Sequence, residues 1–272
     1  MTQKFGDGRT EQKLEIVEEY SSLFIEILGA QNWVTTHYID AFAGEGYIEI
    51  NNGTNSVLEG SVTRIMRIQF DRFHFIENDS QKCGQLRHVV NGQGIEERAG
   101  IYEEDANIAL PRIVGQFSRS DRSLIFIDPF GMQLNWQTLS SLAAVPWCDI
   151  VYLFPCHGVL RGAPNRSGGL LHPDMKDLMC SCLGMTEQKI VEEFYAKDPQ
   201  GHFFPELQAQ GGMVRMADYA VVENLVLRRL RSLFTYVYDP PYRFTAPGRA
   251  PIFSMYLMTS NPSIPAINAI RR

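Results

Sequence analysis

Residues 37–46, HYIDAFAGEG, read as a short apolar strand that meets an acid and breaks into a glycine turn. Three further segments share that shape. FHFIEND (73–79) ends in acids, SLIFIDPFG (123–131) stops at Asp128-Pro129, and WCDIVYLFP (147–155) stops at a proline. One more strand is expected near Ile95 to Ala99, followed by a polar turn, EEDAN (103–107), and a helix from about Ala106. Ahead of them all, Glu11 to Leu28 places Leu14, Val17, Tyr20, Phe24 and Leu28 on one helical face. Continuous apolar strands alternating with helices specify an α/β fold, with a mostly parallel sheet covered by helices on both faces.

The pattern changes near Gly158. GVLRGAPNRSGG (158–169) reads as a loop, and 170–232 as mainly helical with several breaks. LFTYVYDPPYRF (233–244) and PIFSMYLMTS (251–260) return to strand character, and two late strands would complete a sheet of about seven. The expected organisation is therefore an N-terminal helical segment over 1–32, an α/β core over 33–157, a loop and helical insertion over 158–232, and C-terminal strands over 233–272.

Composition narrows the field of functions. Of 272 residues, 44% are hydrophobic and 21% charged, which suits a packed globular chain rather than a disordered one. The 25 basic against 31 acidic side chains leave a net charge of -6, which argues against coating nucleic acid through bulk charge. A local basic groove stays open: Arg161 to Arg166 and the cluster Arg228, Arg229 and Arg231 are its candidates, although a solvated helix surface accounts for the cluster more simply. Five cysteines contain no CxxC pair, so buried free thiols in a reducing compartment are expected and no metal site is. The polar N-terminus and the absence of any long apolar run point to a soluble, cytoplasmic protein without a membrane span.

In open parallel sheets ligands sit beyond the carboxyl ends of the strands. Four such ends carry acids or glycines here: Asp40 to Gly46, Glu77 to Asp79, Asp105 to Asn107, and Asp128 to Gly131. Gly44 and Gly46 let a ligand approach a tight turn closely, but GxG followed by Tyr47 and Ile48 fits a dinucleotide pyrophosphate turn poorly. Asp40 and Glu45 beside it repel phosphate and suit a cationic or hydroxyl-bearing ligand. Glu77 can accept both hydroxyls of a ribose. Asp105 can accept from an exocyclic adenine amine, with the Ala106 and Asn107 amides as donors to ring nitrogens; simple helix capping by Asp105 is the competing reading.

Glycine turn, ribose acid, adenine acid and an acidic strand end together form the pattern of a class I S-adenosylmethionine-dependent methyltransferase of Rossmann-like fold. Asp40, Phe42, Gly44, Gly46, Glu77, Asp105, Ala106 and Asn107 are its candidate cofactor residues. More specifically, the chain resembles the three-Cys-motif partner protein (TcmP) family. The resemblance rests on KLEIVEEY (13–20), YIDAFAGEG (38–46), Gly60-Ser61, FIEND (75–79), DAN (105–107), FIDPFG (126–131) with Trp136, DIVYLFP (149–155) and MYLMTSNP (255–262). It implies a Rossmann-like methyltransferase fold, and a genetically linked partner protein that carries the three cysteines of the name. Cys148, Cys156 and Cys180 of this chain are not that motif.

Two Asp-Pro sites compete for the reaction centre. Asp128-Pro129-Phe130-Gly131 stands where amino-methyltransferases place [DNS]-P-P-[YF], with one proline missing; Asp128 offers an acceptor, Pro129 a rigid turn and Phe130 an aromatic face. Asp239-Pro240-Pro241-Tyr242 is a literal DPPY, but it should fall on a later strand at the far side of the sheet. Asp128, Pro129 and Phe130 are therefore the preferred catalytic residues, and His157 is the best-placed histidine for a general base. The expected activity is methyl transfer to a nucleic-acid or nucleotide base. The alternatives are a methyltransferase-like subunit that binds its partner without catalysis of its own, and an NAD-binding oxidoreductase, which lacks the third glycine of its fingerprint.

Overall fold

A computed structural model describes residues 8–29, 31–50, 56–165, 170–197, 213–245 and 251–271. Helix α1 (Gly8–Leu28) opens the chain. Leu14, Val17, Tyr20 and Phe24 are buried along one face of it, as their spacing requires, and Leu28 is half-buried.

There follow β1 (Thr35–Asp40), a hairpin of β2 (Tyr47–Ile50) and β3 (Ser56–Glu59), α2 (Ser61–Ile65), β4 (Arg72–Glu77), α3 (Ser80–Gly92), β5 (Ala99–Glu103) and α4 (Ala106–Val114). Then come β6 (Asp121–Ile127), α5 (Trp136–Ala143), β7 (Cys148–Phe154), α6 (Cys156–Gly162), α7 (Lys176–Leu183) and α8 (Glu187–Phe194). A small hairpin, β8 (Tyr195–Lys197) with β9 (Met213–Arg215), precedes α9 (Tyr219–Leu233), β10 (Tyr236–Val237), β11 (Tyr242–Thr245), β12 (Pro251–Thr259) and α10 (Ile264–Arg271).

The main sheet has eight strands in the order β5-β4-β1-β6-β7-β12-β10, with β11 also on the outer edge of β12. Strands β5, β4, β1, β6 and β7 are parallel, while β12 runs antiparallel to β7. Alternate residues serve two cores. Tyr38, Phe75, Leu124, Phe126, Val151 and Leu153 pack with α1, α2, α3 and α10. Ile39, Ile125, Ile127, Ile150, Tyr152 and Phe154 pack with α4 to α9 on the other face. The expected α/β architecture, with a mostly parallel sheet and helices on both sides, is the one observed.

Three expectations need correction. The third parallel strand is Ala99–Glu103, not Ile95 to Ala99: the Arg98 amide donates to the Ile95 carbonyl at 2.8 Å, closing a turn just before it. The supposed loop over 158–169 starts inside α6, whose Gly158 and Gly162 disguise a helix with Cys156 and Val159 buried; Arg166 lies outside the described residues. Three late strands, not two, complete the sheet, since β10 and β11 are separate pieces along β12. The five cysteines are free, four of them buried and Cys180 half-buried.

Candidate functional site

The parallel strands deliver Asp40, Glu77 and Asp128 to one edge of the sheet, because β1 lies between β4 and β6 with Asp40 level with Phe75 and Phe126. The turn after β1 is held by this edge. The Ala41 amide donates to the Phe126 carbonyl, the Ala43 amide to the Ile76 carbonyl, and the Gly44 amide to Glu77 Oε2 at 3.1 Å. Glu77 thus braces the glycine turn with one oxygen, while its Oε1 accepts from the Asp79 amide at 2.9 Å. Gly44 and Gly46 both have positive φ, of 62° and 85°. A Cβ on Gly44 would meet nothing within 4 Å, so its backbone faces open space, as a surface for close ligand approach must.

Asp40 is fully buried. Its Oδ2 accepts from the Ser61 hydroxyl at 2.6 Å and its Oδ1 from the Phe42 amide at 3.2 Å. Burial pushes its carboxyl up to about 7, against the pull of those two hydrogen bonds, and the nearby Asp128 charge adds to the rise. Ser61 opens α2, which places its hydroxyl beneath the turn.

The expected adenine end is built differently. Asp105 is exposed and caps α4, its Oδ1 accepting from both the Asn107 amide (2.7 Å) and the Asn107 side chain (2.9 Å). The Asn107 side chain also donates to the Gln133 carbonyl and accepts from the Asn135 amide and the Thr138 hydroxyl. Its carboxamide therefore ties α4 to the loop before α5, and its amide is already engaged in the cap. Ala106 is buried under the first turn.

After β6, Asp128 forms an ion pair with Lys13 from α1, Pro129 is buried, and Phe130 is 65% exposed. The Phe130 amide donates to Gln133 Oε1 at 3.2 Å. Lys13 and Ser61 sit inside segments quoted for the family resemblance, yet nothing local in the sequence marks them as partners of Asp128 and Asp40. Long-range pairing of this kind has no sequence signal. The same holds at the neighbouring β7–β12 end, where the buried Glu223 accepts a bidentate bond from the exposed Arg243 and one from the Ser254 hydroxyl at 2.6 Å.

The remaining candidates lie apart. Asp239 stands between β10 and β11 at the outer edge, paired with Arg231 at 2.7 Å. His157 is exposed on the first turn of α6. Of the cationic cluster, Arg228 pairs with Glu193, and Arg229 stacks over Trp136 with its guanidinium carbon 4.6 Å from the ring centre. Among the described residues no cluster of ligating side chains could hold a metal ion, and no helix is long and apolar enough to cross a membrane.

Sheet order and the antiparallel β12 define the class: this is a Rossmann-like fold of the class I methyltransferase type. No protein-family model matches the chain, and no curated protein matches it. Among solved structures it is similar to protein LPL1258 from Legionella pneumophila, at 10% identity and a TM-score of 0.52 over 97% of this chain and 91% of that one. The N-terminal domain of EvdMO1 with SAH bound is 15% identical, with a TM-score of 0.43 over 89% of this chain and 79% of that one. A conserved hypothetical protein from Streptococcus pyogenes is 16% identical, with a TM-score of 0.33 over 48% of this chain and 76% of that one. At these identities the likeness is one of fold.

Proposed function

We propose that the chain is an S-adenosylmethionine-dependent methyltransferase of the TcmP type, acting on a nucleic-acid or nucleotide base together with a three-Cys-motif partner. One observation carries this reading: adjacent parallel strands end on Asp40, Glu77 and Asp128 around an open glycine turn, with the Asp105 cap one strand further on. The strand ends carry acids, and Lys13 beside them is already paired with Asp128, so the set suits a sulfonium with its ribose and adenine better than a phosphate. The residues present fit that cofactor, since the Gly44 backbone faces open space and Glu77 stands beside it.

When bound, S-adenosylmethionine supplies a methyl group on a positively charged sulfur. The turn from Asp40 to Gly46, with Phe42, would hold its methionine portion, Glu77 the ribose hydroxyls, and Asp105 at the start of α4 the adenine amine. Asp128 would take a hydrogen bond from the acceptor amine, in place of the one it takes from Lys13. Catalysis then comes mainly from alignment of the acceptor and exclusion of water.

Calorimetry with S-adenosylhomocysteine on folded protein tests the cofactor site, and the absence of both heat and a thermal shift would sink it. Where binding is seen, methyl transfer to DNA, RNA and the partner protein is compared between variants. Asp128→Ala should lose about a hundredfold or more in rate, on the scale of other positioned acid–base groups, while Asp239→Ala retains activity. Loss confined to Asp239→Ala would move the reaction centre to the outer strands. The Lys13 ion pair on Asp128 favours a second reading, a partner-binding subunit without catalysis. Cofactor binding with no transfer to any acceptor would select it.

A further inference from the structure

The other edge of the sheet, where the parallel strands begin, contains a cavity of about 270 Å³. Phe24 and Leu28 of α1, Ala266 and Ala269 of α10, and Trp147 just before β7 form its apolar walls. Asp149, the second residue of β7, also lines it, although only 7% of that residue is exposed. Asp149 Oδ2 accepts from the Tyr20 hydroxyl at 3.0 Å, and the Thr259 hydroxyl opposite on β12 is its other polar neighbour. Among the described residues no Lys, Arg or His nitrogen lies within 4.0 Å of it in an ion pair. Arg122 also lines the cavity, but it acts on Asp149 through space only, because its guanidinium lies over the Trp33 and Trp147 rings and donates to the Arg119 and Asp121 carbonyls.

A buried carboxylate without a direct counter-charge is costly, and burial pushes Asp149 up to about 6. The cavity is where a counter-charge in direct contact can enter. Its volume is just under the ~300–1,000 Å³ usual for ligand pockets, which suits a small molecule rather than a nucleotide cofactor. We propose that this cavity is a second binding site, remote from the strand ends that carry Asp128, for a protonated primary amine with a compact apolar body. The amine sits on Asp149 and the apolar body lies between α1 and α10 against Trp147. This site goes beyond the methyltransferase reading and stands without it.

Benzylamine is the test probe, with benzyl alcohol and benzoate as matched neutral and anionic controls. Thermal shift and calorimetry on the cofactor-free chain at pH 7.5 should show saturable benzylamine binding and none for the controls. Asp149→Asn, which keeps a hydrogen-bonding partner for Tyr20, should weaken benzylamine at least tenfold, with near-UV circular dichroism confirming its fold. Ala266→Trp fills the cavity without touching the carboxylate and should abolish binding, so the idea remains exposed should the first variant misfold. Equal binding of benzyl alcohol, preference for benzoate, undiminished binding by either folded variant, or no binding of benzylamine would each overturn it. Since S-adenosylhomocysteine is absent throughout, failure here leaves the cofactor reading untouched.

Discussion

Four side chains cross the middle of the sheet as a hydrogen-bonded row. Asp121 Oδ1 meets His37 Nε2 at 3.0 Å, His37 Nδ1 meets His74 Nε2 at 3.0 Å, and His74 Nδ1 meets the Tyr102 hydroxyl at 2.9 Å. With both rings neutral the row is fully satisfied: each imidazole donates from Nε2 towards Asp121, and Tyr102 donates into the last Nδ1. Burial lowers His74 to about 4, helped by the neighbouring His37 and by Arg72, and burial also lowers His37. The sign follows from proton binding. Below an unfolded value of about 6.5 the unfolded chain takes up a proton that the folded chain refuses, so this stability is complete above pH 6.5 and is lost as pH falls towards 4. His74→Gln should therefore flatten the acid limb of a stability–pH curve by about 2 kcal/mol between those limits, after discounting for partial solvent access. Urea midpoints across pH 4–7.5 measure it, and an unchanged slope would refute the assignment.

At the scale of elements, α7 ends on Gly184 in the left-handed region, at φ +60°. A Cβ there would lie 2.4 Å from Trp136 Cγ, on the ring that Arg229 stacks over. Strain and overpacking add, so Gly184→Ala should cost about 3 kcal/mol, read from denaturant midpoints. Elements were legible in the sequence where they are buried on both faces. SLIFID and DIVYLF are unbroken apolar runs because helices cover both sides, and they fall where expected. AGIYE is half-buried at the free edge of the sheet, so its pattern is weak, and the expected strand falls four residues early, on the charged stretch IEERA (95–99). At the candidate site, the acids at the strand ends could be read locally because each follows its own strand. Lys13, Ser61 and the tie that Asn107 makes to Asn135 and Thr138 could not, since each depends on a partner that only the fold brings near.

Over the whole molecule the sheet divides two cores, and one of them depends on a helix that precedes every strand. Helix α1 buries Leu14 and packs Val17, Tyr20 and Phe24 into a core shared with strands and helices from β1 to α10. At about 1.5–3 kcal/mol for each large apolar side chain, these four contribute roughly 8 kcal/mol, similar to the net stability of a typical domain. A chain lacking residues 1–28 should therefore show no cooperative thermal transition and little near-UV dichroism; a cooperative melt would show that the sheet closes without it.

Helix α1 also sets a timetable. Its Lys13 meets Asp128 across 115 positions, and its Tyr20 meets Asp149 across 129. During synthesis at ~5–20 residues per second the helix emerges ahead of both and waits several seconds for either carboxylate. Its last neighbours, α10 and the end of β12, are synthesised later still. Neither edge of the sheet is complete until these segments have been made, so any ligand at the strand ends or beneath the sheet meets its full site only then. For those seconds the apolar stripe of α1 is exposed. A holdase chaperone would find it there, and folding yield should depend on chaperone supply more steeply than the stability of the finished protein would indicate.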